Sequence, residues 1–258
     1  MISDLQRPTN SGFGQKTEPS EILNNIILDN KNIIITGGYS GIGLETTKAL
    51  RSAGARTIIP AKRKDIAQAE LKDIVPEEDI FEMDLADLNS VKKFTNSFHD
   101  LNINLDILIN NAGSLINRPF AQTTIEDFKN VYNTNVFGVA ELTRRVIPFM
   151  GSSGHVVNIS SMGGVQGSAK FAGLSVYSSS KGALISLTEL LAEEYKDIGP
   201  SFNVLALGAV QTEMLEAAFP GFKAPMSAKE MAAYIFEFSK TGQQFYNGKL
   251  LQVSSSTP

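Results

Sequence analysis

The chain has 258 residues, of which 42% are hydrophobic, so it can bury the core of one large domain or of two small ones. Its formal net charge of −4 and its isoelectric point of about 5.3 argue against a protein that binds nucleic acid or an anionic membrane. It has no cysteine, which excludes disulfides, thiol nucleophiles and thiolate metal sites.

The sequence also argues against a metal site and a membrane span. Its two histidines, His99 and His155, lie far apart and lack the spacing of metal ligands, so we expect structural or surface roles and no bound metal. No apolar run approaches the ~18–20 residues of a membrane-spanning helix, and residues 1–10 lack the apolar region of a signal peptide. We therefore expect a cytoplasmic protein.

The chain divides into a polar N-terminal segment and a long region of regular patterns. Residues 1–30 are rich in Asn, Ser and Pro, and we expect an N-terminal arm that packs on the remainder. In residues 31–258, apolar runs of strand length alternate with helical patterns. The predicted strands are Asn32–Thr36, Thr57–Ala61, Ile80–Asp84, Asp106–Asn110, His155–Ser160, Phe202–Leu207 and Lys249–Val253, and the predicted helices are Gly41–Ser52, Lys64–Ile74, Leu88–Leu101, Ile125–Met150, Val176–Ile198 and Ala228–Lys240.

The order of these elements predicts the fold class. The predicted strands are apolar on both faces, and helices separate them, which is typical of an α/β protein with a parallel sheet covered by helices on both sides. No linker and no change in composition interrupts residues 31–258, so we predict a single domain with about seven strands. In such folds, ligands bind at the carboxyl ends of the strands.

Three glycines follow the first predicted strand and precede the first predicted helix. Gly37, Gly41 and Gly43 allow a tight turn and let the backbone approach a pyrophosphate closely. The helix that follows offers free N–H groups and a partial positive charge to an anion. The spacing differs from the common GxGxxG fingerprint, and a tight connection without a ligand is the alternative.

Tyr177 and Lys181 lie four residues apart in a predicted helix. This spacing places both side chains on the same face, roughly 6 Å apart along the helix axis. The lysine ammonium is expected to favour the phenolate and to lower the tyrosine pKa from about 10 toward neutrality. A tyrosine with such a pKa is a general acid and base. The alternative is an ordinary surface tyrosine beside a solvated lysine.

These motifs together resemble the short-chain dehydrogenase/reductase family over roughly residues 32–253. They occur in the order and at about the spacings of the family: Thr36-Gly37-x-x-x-Gly41-Ile42-Gly43, Asn110-Asn111-Ala112-Gly113 and Tyr177-x-x-x-Lys181. The resemblance implies a Rossmann-type doubly wound parallel sheet. It also implies an NAD(P)-dependent oxidoreductase that transfers a hydride between the nicotinamide and a small carbonyl or secondary alcohol substrate.

The resemblance implies roles for four catalytic residues. Tyr177 matches the proton donor or acceptor, and Lys181 matches the lysine that lowers the tyrosine pKa and holds the nicotinamide ribose. Ser161 matches the serine that hydrogen-bonds the reacting oxygen. Ser160 is the neighbouring candidate, but Ser161 is preferred because it directly precedes the small-residue turn. Asn135 matches the helix asparagine whose main chain holds a relay water to the lysine.

The resemblance also implies the cofactor site. Ala61 occupies the position at which NAD-binding members have an acidic residue, and Lys62 and Arg63 follow it with positive charges for a 2′-phosphate. NADP is therefore the preferred cofactor, and NAD is the other possibility. The alternative interpretation of Lys62 and Arg63 is a solvated basic pair that begins the next helix and contacts no cofactor. The predicted cofactor-binding residues are Gly37, Tyr39, Ser40, Gly41, Ile42, Gly43, Lys62, Arg63, Asp84, Leu85, Asn111, Ala112, Gly113, Tyr177, Lys181, Gly208, Val210 and Thr212.

The sequence departs from the family after the sixth predicted strand. Leu207-Gly208 stands where the family usually has Pro-Gly, although Val210 and Thr212 still match the residues that contact the nicotinamide amide. Residues 213–226 are predicted to form a shortened lid over the substrate. Four apolar side chains in this lid either line the substrate or serve only packing: Met214, Leu215, Phe219 and Phe222.

Two other functions remain as alternatives, and the sequence also predicts an oligomer. A catalytically idle dinucleotide-binding sensor or scaffold is the first alternative, and the complete Asn–Ser–Tyr–Lys set argues against it. A sugar-nucleotide epimerase or dehydratase is the second, but such enzymes usually have a longer C-terminal substrate domain. The helical patterns Ile125–Met150 and Val176–Ile198 are apolar on more than one face, so we expect a homodimer or homotetramer, as in the family.

Overall fold

Seven parallel strands form the central sheet, as the sequence predicts. The computed structural model describes residues 28–254, so the predicted arm lies outside the described residues except for residues 28–30. The strands are β1 (Asn32–Ile35), β2 (Arg56–Ala61), β3 (Ile80–Glu82), β4 (Leu105–Asn110), β5 (Met150–Ser161), β6 (Ser201–Leu207), β7 (Val210–Gln211), β8 (Met226–Ser227) and β9 (Lys249–Val253). The order in the sheet is β3-β2-β1-β4-β5-β6-β9, while β7 and β8 pair separately.

Helices cover both faces of this sheet and divide the core into two layers. They are α1 (Gly41–Ser52), α2 (Lys64–Glu70), α3 (Leu88–Asp100), α4 (Ile125–Tyr132), α5 (Gly138–Val146), α6 (Ser175–Glu194), α7 (Glu213–Ala218) and α8 (Ala228–Thr241). Ile33 and Ile35 of β1 pack in one core with α1, α2 and α8. Ile34 packs in the other core with α3, α5 and α6, because successive strand residues point to opposite faces.

The strand order places a crevice at the carboxyl edge of the sheet. The chain proceeds outward from β1 through β2 to β3 and then returns to β4 on the other side of β1. At such a reversal, the loops after the two strands leave toward opposite faces and open a ligand site between them. The predicted Rossmann-type doubly wound fold is therefore confirmed.

The predicted helix Ile125–Met150 is helical as far as Phe149, but it is not one regular α-helix. In the structure, α4 continues into a π-helical turn (Asn133–Phe137), then α5, and then a 3-10 turn (Ile147–Phe149). Pro148 has no backbone N–H with which to continue a helix, which explains the end of the helical segment. Met150 already belongs to β5, where it pairs with β4.

Four other predicted elements have different lengths in the structure. The helix Lys64–Ile74 ends at Glu70, because the chain turns at Asp73, whose φ is +65°. The helix Val176–Ile198 ends at Glu194, and the strand Ile80–Asp84 ends at Glu82. Strand β5 begins at Met150 rather than His155, since the Gly- and Ser-rich residues before His155 are extended. The remaining predicted boundaries agree with the structure to within one residue.

The sequence analysis did not predict the short helix α7 or the β7–β8 pair. Both lie within or beside the predicted lid: the Thr212 hydroxyl accepts a hydrogen bond from the N–H of Leu215 at 3.2 Å and so caps α7. Strand β8 then leads into α8, which begins with a capping box of Ser227 and Glu230. Within residues 28–254, no helix is long and apolar enough to cross a membrane.

Candidate active site

The glycine turn after β1 leaves the amino end of α1 open to an anion. Gly37 and Gly41 have φ values of +65° and +51°, which favour glycine. A Cβ at Gly43 would collide with the Gly37 carbonyl oxygen, so the turn is as tight as predicted. Ser40 precedes α1 and makes no side-chain cap hydrogen bond. The first N–H groups of this helix therefore fit the phosphates of a dinucleotide.

Thr36 holds the loop after β4 against the glycine turn. Its hydroxyl oxygen accepts hydrogen bonds from the N–H groups of Asn111 and Ala112, both at 3.0 Å. The Asn111 side-chain amide donates to the Thr36 carbonyl oxygen at 2.9 Å. These contacts bring the predicted residues Asn111–Gly113 to the same edge of the sheet as Gly37. The loop and the turn thereby form a continuous floor.

Two predicted cofactor residues direct their side chains into the protein core. Tyr39 is 9% exposed and Leu85 is 5% exposed, and each belongs to one of the two apolar cores. Ile42 packs at the edge of the core that contains Tyr39. If Tyr39 and Leu85 contact the cofactor as predicted, their backbones are the groups available for it, because their side chains are buried.

Lys62 and Arg63, the basic pair after β2, lie in two different environments. The Lys62 ammonium lies 2.9 Å from a carboxylate oxygen of Asp84, so two predicted cofactor residues form an ion pair with each other. Arg63 lies exposed at the residue before α2. Ala61 is buried at the end of β2. Arg63 is consequently the cation of this pair that has no acidic partner among residues 28–254.

Ser161, Tyr177 and Lys181 meet at the carboxyl end of β5. Ser161 lies beside the side chain of Tyr177. The Lys181 ammonium lies 5.8 Å from the centroid of the Tyr177 ring and donates to the Ile159 carbonyl oxygen at 2.8 Å. Ser160 instead donates to the Lys181 carbonyl oxygen at 2.9 Å and is buried. Of the two serine candidates, only Ser161 faces Tyr177.

Burial controls the ionisation of this group of residues. It raises the pKa of Tyr177 above its ordinary value of 10, and the neighbouring Ser161 side chain opposes this shift. It also lowers the pKa of Lys181 to about 8. The shift of the Tyr177 pKa in this structure is therefore opposite to the expected shift toward neutrality, because burial is its largest cause. Tyr177 is a protonated donor at neutral pH.

Asn135 connects the π-helical turn to the loop after β4 and to α6. It is fully buried, and its amide donates to the Ser114 carbonyl oxygen and to the Ser180 hydroxyl, both at 2.9 Å. Its side-chain oxygen accepts from the N–H of Ser114 at 2.8 Å. Single π-helical turns inside α-helices are frequent at functional sites. Asn135 thus holds three segments of the site together.

The three predicted residues after β6 lie at the opposite side of the glycine turn. A Cβ at Gly41 would lie 3.6 Å from the Thr212 side chain, so Thr212 borders the turn. Gly208 donates its N–H to the Val253 carbonyl oxygen at 2.9 Å and packs closely against Ser254. Val210 is buried in the core. The backbone at Gly208 is therefore held by β9.

Sequence reasoning missed the residues that support these side chains. Ser114 and Ser180 bind Asn135, and Thr36 holds the loop after β4. The Ile159 carbonyl oxygen is the acceptor for Lys181. Ser180 is buried and lies directly before Lys181 in the sequence, and this position beside a motif residue is a signal that could have been used. The Ile159 carbonyl gives no signal, because every residue has one.

The chain was compared with protein families, known proteins and solved structures. Residues 31–221 match the family described as short chain dehydrogenase. The sequence is 30% identical over 210 residues to a 3-oxoacyl-(acyl-carrier-protein) reductase of Thermotoga maritima, covering 80% of this chain and 82% of the relative. It is 31% identical over 204 residues to an NADP-dependent 3-hydroxy acid dehydrogenase of Schizosaccharomyces pombe, covering 76% and 78%.

The fold agrees with these similarities in sequence. A short chain dehydrogenase from Burkholderia cenocepacia, solved in complex with NADP, superposes with a TM-score of 0.79 at 26% identity, covering 89% of this chain and 98% of that one. The family match spans the glycine turn, the loop after β4 and the Tyr177–Lys181 helix. This chain therefore belongs to the short chain dehydrogenase family of NAD(P)-dependent oxidoreductases.

Proposed function

We propose that this protein transfers a hydride between NADP and a carbonyl or secondary alcohol substrate, with Tyr177 as the general acid and base. The observation that carries this proposal is that Ser161 lies beside Tyr177, whose ring centroid is 5.8 Å from the buried Lys181 ammonium. These groups lie at the carboxyl edge of the sheet, where the glycine turn also opens. A proton donor thus borders a site that fits a dinucleotide.

Each of the four polar residues has a distinct part in the proposed reaction. Tyr177 donates its phenolic proton to the substrate oxygen during reduction and takes it back during oxidation. Ser161 hydrogen-bonds the same oxygen and orients it, and Lys181 stabilises the phenolate that remains. Asn135 positions the surrounding segments. When bound, NADP supplies the hydride in reduction and accepts it in oxidation.

NADP is proposed over NAD because of the residues at the end of β2. Ala61 cannot accept hydrogen bonds from the ribose hydroxyls as a carboxylate does, and Arg63 can pair with a 2′-phosphate. The S. pombe relative is named as NADP-dependent, and the B. cenocepacia structure contains NADP. The residues proposed to hold the dinucleotide are those of the glycine turn, the loop after β4, Arg63 and Thr212.

The organisation of the protein is part of the same proposal. We take residues 31–258 as one catalytic domain, residues 1–30 as an arm and the cytoplasm as the location. A homodimer or homotetramer is supported by large apolar side chains exposed on the α4–α5 segment and on α6. Ile125, Phe137 and Leu190 are 72%, 50% and 68% exposed. Exposed apolar surfaces of this kind mark interaction sites.

The decisive experiment combines cofactor binding with turnover. NADPH binding is measured by fluorescence, and NADPH oxidation is then followed against a panel of carbonyl compounds. Tyr177→Phe is expected to bind NADPH normally and to lower kcat by about 10²–10⁴, since the general acid is lost. Tyr195→Phe removes a phenol at the other end of α6 and is the matched control.

Two outcomes would contradict the proposed function. If Tyr177→Phe retained nearly full activity on a verified substrate, Tyr177 would not be the acid. If NADPH bound but no carbonyl in the panel were reduced, a dinucleotide-binding sensor would be the better description. Loss of activity in Tyr195→Phe as well would show that the effect is structural.

The proposed assembly has its own test. Light scattering at micromolar concentration is expected to give the mass of a dimer or tetramer, and Leu190→Glu is expected to lower it by placing charges in the interface. Ile198 is also 68% exposed but follows the end of α6, so Ile198→Glu is the matched control. A monomer mass for the unmodified protein would contradict the assembly.

A further inference from the structure

A cleft of about 240 Å³ lies between the loop after β4 and helix α7. Helix α7 contributes residues spaced three and four apart, which lie on one face of the helix. The five lining residues are Leu115, Asn117, Met214, Ala217 and Ala218. Among these described residues there is no ionisable group, and four of the five side chains are apolar.

Both walls of the cleft begin at the active site. The loop begins at Gly113, where a Cβ would lie 3.4 Å from the Lys181 ammonium nitrogen. Helix α7 is capped by Thr212, which lies 3.6 Å from a Cβ position at Gly41. The two walls of the cleft therefore continue from segments that border Lys181 and the glycine turn.

Asn117 closes the cleft by joining its two walls to the segment before α6. Its side-chain amide donates to the Ala218 carbonyl oxygen at 2.8 Å. Its side-chain oxygen lies against Gly173, where a Cβ would collide with it, and the N–H of Arg118 donates to the Gly173 carbonyl oxygen at 2.9 Å. The only polar side chain in the lining is thus already engaged with the protein.

Arg118, next to Asn117, and Lys170, next to Phe171, are also engaged with the protein. The Arg118 guanidinium donates to the Asp127 carboxylate at 2.6 Å. The Lys170 ammonium donates to the Gly163 carbonyl oxygen at 2.9 Å and to the Ser168 hydroxyl at 2.8 Å. Helix α7 itself carries two acidic residues in its first turn. An anionic group on the substrate would find no positive charge among the five residues that line the cleft.

We propose that the substrate carries a short, uncharged, apolar arm that binds in this cleft. The cleft is smaller than the roughly 300–1,000 Å³ of pockets for drug-sized ligands, so the arm is a short alkyl chain or a single ring. The rings of Phe171 and Phe219, 6.5 Å apart, extend the apolar surface next to Gly173 and Ala218. This inference rests on the proposed function and specifies its substrate class.

The test compares two series of ketones of increasing length with NADPH. The first series consists of unbranched methyl ketones, and the second consists of oxo acids of matched length with a carboxylate at the end of the arm. For methyl ketones, kcat/KM is expected to rise about fourfold with each added methylene until the cleft is filled. The matched oxo acids are expected to be at least roughly tenfold poorer, because their carboxylate would be desolvated without a partner.

Variants at Ala217 assign these effects to the cleft. Ala217→Leu fills the cleft and is expected to remove the gain in kcat/KM with chain length. Ala217→Lys adds a positive charge and is expected to shift preference toward the oxo acids. Ala233 is exposed on α8, so Ala233→Leu and Ala233→Lys are the matched controls and should leave the length dependence and the preference unchanged.

Each outcome either supports or overturns the inference. A flat dependence on chain length, a preference for oxo acids, or an unaltered profile in Ala217→Leu would overturn the apolar arm while leaving the proposed oxidoreductase intact. Reduction of neither series would also overturn this substrate class. The Tyr177→Phe measurement and the wider carbonyl panel then decide separately whether the proposed function fails.

Discussion

Lys181, beside the carboxyl end of strand β5, and His155, within that strand, are buried ionisable groups that differ in how their hydrogen-bonding capacity is used. At the carboxyl end, the Lys181 ammonium has one hydrogen bond within residues 28–254, to the Ile159 carbonyl oxygen. An ammonium has three donors. Toward the amino end, both ring nitrogens of His155 have partners at 3.1 Å, namely the Ser239 carbonyl oxygen and the Asn203 side-chain amide.

This difference separates a structural residue from a candidate catalytic one. The contacts of His155 fit one neutral tautomer, with Nδ1 as donor and Nε2 as acceptor. Burial lowers the pKa of His155 to about 4, so the ring is neutral at pH 7, in agreement with the predicted structural role. Lys181 keeps donors available beside Tyr177. A buried ionisable group with unused donors indicates a site for a ligand.

The largest expected effect belongs to Lys181→Met, which removes the ammonium but retains an apolar chain. We expect kcat to fall by about 10²–10⁴, because the phenolate of Tyr177 loses its stabilising charge. Since Lys181 is protonated below about pH 8 and neutral above it, kcat/KM for reduction should decline in the unmodified enzyme as the pH rises through 8. The measurement is a pH profile of kcat/KM for both proteins.

Measurements of the stability of Lys181→Met show whether Lys181 acts in catalysis or supports the folded structure. Burial of the Lys181 charge opposes folding, so Lys181→Met is expected to raise the free energy of unfolding at pH 7. Lys196→Met, at an exposed lysine paired with Glu193, serves as the control. A variant that lost stability together with activity would show that Lys181 is a structural residue and would remove the contrast with His155.

Acid is expected to lower the stability of the protein through His155, and this effect is smaller than that of Lys181→Met. The folded pKa of about 4 lies below the value of 6.5 expected when unfolded, so the unfolded chain binds more protons between these pH values. Stability is therefore lost as the pH falls through this range. The loss is about 1.4 kcal/mol per pH unit and about 3 kcal/mol by pH 4. Urea unfolding at several pH values measures it.

The contribution of His155 is isolated by comparison with the other histidine. His155→Gln is expected to be less stable at pH 7 and to lack this part of the acid sensitivity. His99 is exposed on α3, so His99→Gln should retain the acid sensitivity of the unmodified protein. Equal slopes of unfolding free energy against pH in the His155 variant and the unmodified protein would show that His155 takes up a proton while folded.

The smallest expected effect concerns the cofactor. Arg63→Ala should weaken NADPH binding about tenfold and NADH binding little, because an exposed charge-assisted contact with the 2′-phosphate is lost. Lys62→Ala should have a smaller effect, since Lys62 is already paired with Asp84 at 2.9 Å. Dissociation constants for both cofactors at two salt concentrations check this, and the difference should shrink as salt rises.

Two results would contradict this account of cofactor choice. Equal dissociation constants for NADPH and NADH on the unmodified protein would mean that the basic pair only begins helix α2. A larger effect at Lys62 than at Arg63 would mean that the ion pair with Asp84 opens when the cofactor binds. Ala61→Asp sharpens the comparison between NADPH and NADH. Its carboxylate should accept hydrogen bonds from the ribose hydroxyls and shift the preference toward NADH.

The predictions from sequence succeeded where the signal is local. Helix Gly41–Ser52 and strand Lys249–Val253 were predicted with the observed boundaries, because their apolar period and the flanking glycines lie within a few residues. The π-helical turn Asn133–Phe137 was not predicted, since the helical pattern of the sequence continues on both sides of Asn135. The hydrogen bonds of that side chain to Ser114 and Ser180 join residues far apart in the chain.

The sequence by itself determined the strand and helix alternation, the glycine turn and the spacing of Tyr177 and Lys181. These features depend on residue periods and on neighbours along the chain. Tertiary structure alone decided the direction of the Tyr177 pKa shift, the pairing of Lys62 with Asp84 and the apolar cleft beside α7. Burial and contacts between distant segments set these properties, and such contacts exist only after the sheet and its helices have packed.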